Sequence, residues 1–368
     1  MRLISRTSSL AALLSLLAPQ PDVSFAETPA VVQSLSESSD SQDSPAEQAE
    51  QPVDELKYPG KKLRDAMLRY AKHFEKAVEN DPHQAANYAG LADSYISLWC
   101  FGFSSRDEAM PTAKAAALRA VELDDQLAAA QTALGVVRLS EWDWAAAERA
   151  LRRAIELEPE RAASHHWYAL YLAAMGRHDQ ALAESELAVK LDASPGMQIG
   201  LGAILYFGRD WQRMITQMKQ TVDEMPESGP AYDWLGMAYV QEKRFDESIN
   251  AYLAAVKHSD RLAEIVAGLG HAYGLAGKEA QAKEILDELN ALDEKWYIPP
   301  VQIAYVYTGL GQNQQALDLL ERAYRERSWE LVFLQVEPWF DELRTEPRFV
   351  DLIKRIDFPL PHRVEANP

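Results

Sequence analysis

The chain has 368 residues and a formal net charge of −19. Nucleic-acid affinity comes largely from clustered Lys and Arg neutralising phosphates, so this balance excludes nucleic acid as the expected partner. Hydrophobic residues make up 47% and charged residues 25%, enough to bury a core, while the single cysteine, Cys100, excludes an internal disulfide and leaves stability to packing.

In chain order, the first segment reads as an address. Arg2 and Arg6 give a positive start, Leu10 to Ala18 is apolar, and Ser24-Phe25-Ala26 places small residues where a signal peptidase reads them. The expectation is a secretory signal peptide, residues 1–26, cut after Ala26. Its apolar stretch is about half of the roughly 20 residues a membrane span needs. No stable membrane anchor is expected elsewhere, and the protein is expected to be periplasmic or secreted. Residues 27–58 are mainly Ser, Glu, Asp, Gln, Pro and Ala. Such a stretch buries too little apolar area to offset its ordering entropy, so it reads as a disordered acidic spacer.

The remainder repeats. Small residues recur at Gly135, Ala169, Ala203, Gly236, Gly270 and Ala304, spaced 34, 34, 33, 34 and 34 apart. Ala147, Ala181, Ile215, Ser248, Ala282 and Ala316 follow in phase, as do Ala154, Ala188, Val222, Ala255, Leu289 and Ala323. This is the pattern of stacked helical hairpins, in which small residues let two antiparallel helices approach and larger ones fill the layers between. Gly176, Gly208, Gly277 and Gly311 are expected at positive φ in the turns within hairpins, and Pro159, Pro195 and Pro226 between hairpins. One unit, Ala85 to Leu127, has its small residues Ala92 and Ala113 21 apart instead of twelve, which predicts an enlarged loop around Cys100. Upstream, residues 59–84 read as a degenerate first repeat. Downstream, residues 331–368 break the period, and Arg344, Arg348, Lys354 and Arg355 among apolar residues suggest an amphipathic capping helix and a tail.

The 34-residue unit, with Trp234-Leu235-Gly236 and Tyr239 followed by Ser248, Tyr252 and Ala255, resembles the tetratricopeptide-repeat (TPR) family. The resemblance implies an all-α solenoid of seven units over residues 85–330, wound as a right-handed superhelix. Stretches such as Glu141-Trp142-Asp143-Trp144, His165 to Leu170 and Trp296 to Pro300 look like the TPR arrays attached to bacterial winged-helix regulators, protein kinases and nucleotide cyclases. In those proteins an effector domain usually precedes the array. Here the 58 preceding residues read as signal and spacer, so the sensor or scaffold part is expected without its effector.

Chemistry finds no foothold. Adjacent His165 and His166 point about 100° apart on a helix and lack a ligand three or four residues away. Gly274 to Glu279 ends like a phosphate loop without its first glycine or its Ser/Thr. No catalytic, metal or cofactor residue is therefore expected, and the chain is not expected to be an enzyme. The aromatics at 142, 144, 167, 168 and 171 are expected to pack internally in preference to forming a carbohydrate platform. The expected function is binding of a protein or peptide in the concave groove. By the family register its lining is Asp93, Val136, Leu170, Ile204, Met237, His271 and Tyr305, with Thr132, His166, Gly200, Asp233 and Val301. This largely apolar set implies an apolar or amphipathic segment as partner. A regulatory or accessory subunit of an envelope enzyme or signalling complex is the alternative, and homo-oligomerisation is left open.

Overall fold

A computed structural model describes residues 57–359. The expected signal peptide and nearly all of the acidic spacer lie outside them. Among the described residues there are sixteen α-helices, two short 3-10 helices and no strand. After α1 (Lys61–Asn80) come seven antiparallel hairpins: α2 (Ala85–Cys100) with α3 (Arg106–Leu123), α4 (Ala128–Ser140) with α5 (Trp144–Leu157), α6 (Ala162–Ala174) with α7 (His178–Leu191), α8 (Pro195–Phe207) with α9 (Trp211–Glu224), α10 (Gly229–Gln241) with α11 (Phe245–His258), α12 (Ala263–Leu275) with α13 (Glu279–Asp293), and α14 (Pro300–Gly309) with α15 (Asn313–Glu326). Each first helix also packs on the first helix of the next unit, which winds the stack into a superhelical solenoid with one main core running through it and two small clusters beside it.

The small residues do what their spacing implies. A Cβ on Gly236 would lie 2.8 Å from the ring of Tyr252, and one on Gly268 would lie 2.4 Å from the same ring. Tyr252 on α11 is thus seated between α10 and α12. Ser248 donates from Oγ to the Gly236 carbonyl at 2.8 Å, clasping the two helices of one hairpin. The turn within each regular hairpin uses one left-handed residue: Trp142, Gly176, Arg209, Lys243, Gly277 and Gly311 have φ between 58° and 73°. The next amide donates to the carbonyl five residues back, as Asp143 does to Arg138 at 3.0 Å and Arg177 to Leu172 at 2.9 Å. Gly208 is a correction: its φ is −77°, and Arg209 takes the left-handed place instead. The register of the turn is fixed by the helix lengths, so non-glycine residues fill it at three of six positions despite about 1 kcal/mol of strain or more.

The irregular first hairpin also departs from expectation. Its first helix has 16 residues against 13 in α4, its second 18 against 14 in α5. Most of the insertion is therefore helix, and the loop grows by only two residues. The extension closes the superhelix on itself. Gly102 abuts Pro299, with an added Cβ falling 2.6 Å from its Cγ. Gly60 N–H donates to the Asp260 carbonyl at 2.7 Å, and Tyr58 meets Trp296 edge-on at 5.3 Å.

The end of the chain forms α16 (Pro347–Ile356), which caps the last hairpin. Arg348 pairs with Asp318 and Arg355 with Glu321 on α15, both at 2.6 to 2.7 Å, over the buried Phe349, Leu352 and Ile356. Between α15 and this cap, residues 328–346 take a route the sequence pattern does not reveal.

Candidate functional site

Helix α15 ends at Arg327, whose left-handed conformation (φ 49°) turns the chain inward. Its guanidinium lies 4.6 Å over Trp142 and donates to the Glu141 carbonyl at 2.9 Å, tying this corner to the second hairpin. From there residues 328–346, termed the strap, run along the inside of the superhelix. The 3-10 turn Trp329–Phe333 packs on α2, α4 and α6. Trp329 meets Trp99 edge-on at 5.3 Å and Trp167 at 6.1 Å, and Phe333 stacks on Phe207 at 4.5 Å. Gln335 donates from Nε2 to the Ala174 carbonyl at 2.6 Å.

The second 3-10 turn, Pro338–Leu343, continues the route. Trp339 stacks on His271 and meets Tyr305 edge-on, both at 4.4 Å, and Phe340 stacks on Tyr305 at 5.3 Å. Arg209 clamps Asp341 through two hydrogen bonds of 2.6 and 2.7 Å. Arg344 donates to the Gln335 and Glu337 carbonyls, satisfying backbone that no helix pairs. Trp144 then donates to the Ile356 carbonyl at 3.4 Å and stacks on Phe358 at 4.9 Å. Trp142 and Trp144 are packing residues that hold the returning chain.

The expected groove residues consequently do not line an open surface. His166, Leu170, Gly200, Asp233, Met237 and Tyr305 converge on one partly open cavity between the first helices and the strap. His271 lies beneath Trp339, with Nδ1 2.8 Å from the Tyr305 carbonyl. Val136, Ile204 and Val301 are buried in the main core, and Thr132 hydrogen-bonds Ser164 at 3.0 Å. Asp93 is partly buried outside the cavity, with its carboxyl pushed up to about 7 by burial against the opposing pull of Arg161. Being an inner-face position and being available to a partner are different properties here, because the chain covers its own inner face.

The cavity has a volume of about 220 Å³. Four carboxylates border it: Asp233 on α10, Glu264 on α12, and Glu330 and Glu337 on the strap. No Lys or Arg does. Burial raises all four carboxyls, Glu330 to about 8 and Glu337 to about 7. The neighbouring Glu264 charge raises Asp233 further. Burial lowers His166 to about 4 and keeps it neutral. His165, its neighbour, points elsewhere: its ring nitrogens lie 2.6 Å from Glu184 Oε2 and 2.8 Å from the Pro159 carbonyl. Among the described residues no group of His, Cys, Asp and Glu could hold a metal ion, and no helix is long and apolar enough to cross a membrane.

Sequence reasoning missed the strap and with it Trp329, Glu330, Phe333, Glu337 and Trp339. The available signal was the density of large aromatics between 329 and 340, more than an end cap requires, in a stretch without helical period.

Residues 229–257, which form α10 and most of α11, match the tetratricopeptide-repeat family model. The comparison with curated proteins finds no significant match. Among solved structures, the APC/C hetero-tetramer Cut9–Hcn1 is similar with a TM-score of 0.53 at 17% identity, over 81% of this chain and 53% of that one. The human IFIT1 dimer with PPP-AAAA gives 0.53 at 16% identity, over 81% and 70%. The chain thus spans about half the length of the Cut9–Hcn1 chain it matches. Together with the seven in-register hairpins, these likenesses show that the fold is a TPR-type superhelical solenoid, with the repeat itself recognisable at residues 229–257.

Proposed function

We propose that the chain is an exported, non-catalytic TPR scaffold that binds a protein or peptide segment on the inner face of its superhelix. One observation carries this reading: residues 329–340 already lie on that face as short 3-10 turns joined by irregular chain, seated by aromatic anchors on α2, α6, α8, α12 and α14. A surface that holds such a segment intramolecularly has the pockets and spacing to hold one from a partner. The partner segment accordingly carries large aromatic or aliphatic anchors, and it engages when the strap leaves. Support for export is confined to the sequence features before Glu27, and support for a scaffolding role is the TPR-type superhelical fold.

A peptide spanning residues 328–345, fluorescently labelled, tests the binding surface. It should bind a Phe333→Ala/Trp339→Ala variant, whose own strap is weakened, and be excluded from the wild type. Failure to bind a variant that stays helical and monomeric would remove the inner face as the binding surface. Amino-terminal sequencing of the mature protein tests export: the expected first residue is Glu27, and an intact Met1 in the cytoplasm contradicts it.

A further inference from the structure

We infer that the cavity bordered by the strap is a binding site for a compact organic cation, an ammonium group on a small apolar body, held by Asp233 and Glu264 among aromatic faces. This goes beyond the scaffold reading and does not depend on it, because the strap in place is what forms the cavity.

The argument starts from charge. Moving a carboxylate out of water is costly unless a partner compensates it. Glu337 has compensation from the Tyr206 hydroxyl and the Trp339 amide, at 2.5 and 3.1 Å. Asp233 is only 8% exposed, borders the cavity, and makes no hydrogen bond or ion pair with the described residues. Glu264 borders the same cavity and likewise makes no hydrogen bond or ion pair with the described residues. Glu330 has one oxygen buried without a partner. No side chain of opposite charge borders the cavity, so once these carboxyls ionise, a cation that enters it is the one charged partner open to them. An anion is excluded by the same carboxylates.

The walls fit the same chemistry. Trp167, Phe207, Trp234 and Trp329 border the space, and the negative face of an aromatic ring attracts a cation most strongly where water is excluded. At about 220 Å³ the cavity exceeds the roughly 150 Å³ of an apolar protein cavity that takes up benzene. A small amine fits such a space and a folded peptide does not. The same ammonium chemistry is offered by the end of a partner's lysine side chain, so the two sources have to be separated by experiment.

Calorimetric and thermal-shift titration of the full chain in mildly alkaline buffer provides the test, with choline, phenethylamine and the methylamide of Nα-acetyl-lysine as probes and the neutral carbon isostere of choline as control. At least one ammonium probe should bind with unit stoichiometry and raise the melting temperature, while the isostere does not. Tighter binding of choline or phenethylamine assigns the site to a free small molecule, and tighter binding of the lysine derivative assigns it to a partner's side chain. Asp233→Asn and Glu264→Gln should each weaken binding about tenfold or more without lowering the melting temperature, since each removes an uncompensated carboxylate. The inference is overturned if no ammonium probe binds the folded wild type, if the neutral isostere binds equally, or if whichever of the two variants folds binds as tightly as the wild type.

Discussion

The Tyr206 hydroxyl donates a 2.5 Å hydrogen bond to the Glu337 carboxylate, joining α8 to the strap across 131 positions of sequence. Tyr206 is fully buried, and its ring packs 5.6 Å from both Trp211 and Trp234, so the hydroxyl is held where the strap must pass. Tyr206→Phe keeps the ring and removes the bond. Glu337 is then left with the Trp339 amide alone, at an expected cost of about 1–3 kcal/mol. Chemical denaturation should show the loss, and limited proteolysis should show faster cleavage within residues 328–346 than in the wild type.

The buried carboxyls fix the sign of the pH dependence. Glu330, Glu337 and Asp93 have folded-state values of about 8, 7 and 7, above their ordinary values of 4.5, 4.5 and 3.8. The native state therefore binds more protons than the unfolded chain between those limits. Their contribution to stability is fully present below about pH 4 and is lost as pH rises through about 8. His166 and His271, both lowered to about 4 by burial, act oppositely: their contribution is present above their ordinary value of 6.5 and is lost as pH falls through about 4. Melting temperature should therefore peak in mildly acidic buffer and fall by several degrees toward about pH 9. Glu330→Gln/Glu337→Gln should flatten the alkaline side, and an unchanged alkaline slope in that variant would contradict the assignment.

Gly236→Leu tests the close approach of helices. The new side chain would meet the Tyr252 ring, which Gly268 blocks from the other side. Because the ring has no room to retreat, destabilisation of about 1–3 kcal/mol or more is expected. Gly277→Ala is a contrasting variant: nothing lies within 4 Å of an added Cβ, but φ is 73°, so only backbone strain of about 1 kcal/mol operates. Equal melting temperatures for wild type and Gly236→Leu would contradict the packing role.

Leu170→Glu/Ile204→Glu distinguishes an open groove from a covered one. On an open groove these substitutions would abolish capture and leave the fold intact. Here Leu170 and Ile204 are 9% and 2% exposed, so the double variant buries two uncompensated carboxylates, each costing several kcal/mol. Circular dichroism should show loss of cooperative thermal unfolding. A variant that melts like the wild type would mean the inner face is solvated.

The legible part of the fold is the part set by local spacing. Gly236, Ser248 and Ala255 recur in phase because each hairpin repeats the same two-helix contact, so the helices, their order and their neighbours follow from the chain. Arg209 and not Gly208 takes the left-handed place because glycine tolerates positive φ without requiring it, whereas helix length decides which residue sits in the turn. Register assigns positions on the first helices, but it does not reveal what lies against them. Trp339 meets His271 and Tyr305 through contacts that no period encodes. Likewise the cavity needs Asp233 from one hairpin, Glu264 from the next and Glu330 from the strap, a convergence that exists only once the superhelix has closed.

The central claim is that this superhelix carries its own segment on its inner face, and hydrogen–deuterium exchange of the full chain tests it most directly. The amides of Leu334, Val336 and Glu337 donate at 2.8 to 3.3 Å within the strap, beneath aromatic side chains on both flanks. They should exchange as slowly as the interior amides of α8 and α14, whereas those of the solvent-facing turns at 243 and 277 exchange quickly. Exchange of residues 328–346 within seconds, with α8 and α14 still protected, would mean that the strap is not held inside and would contradict the account.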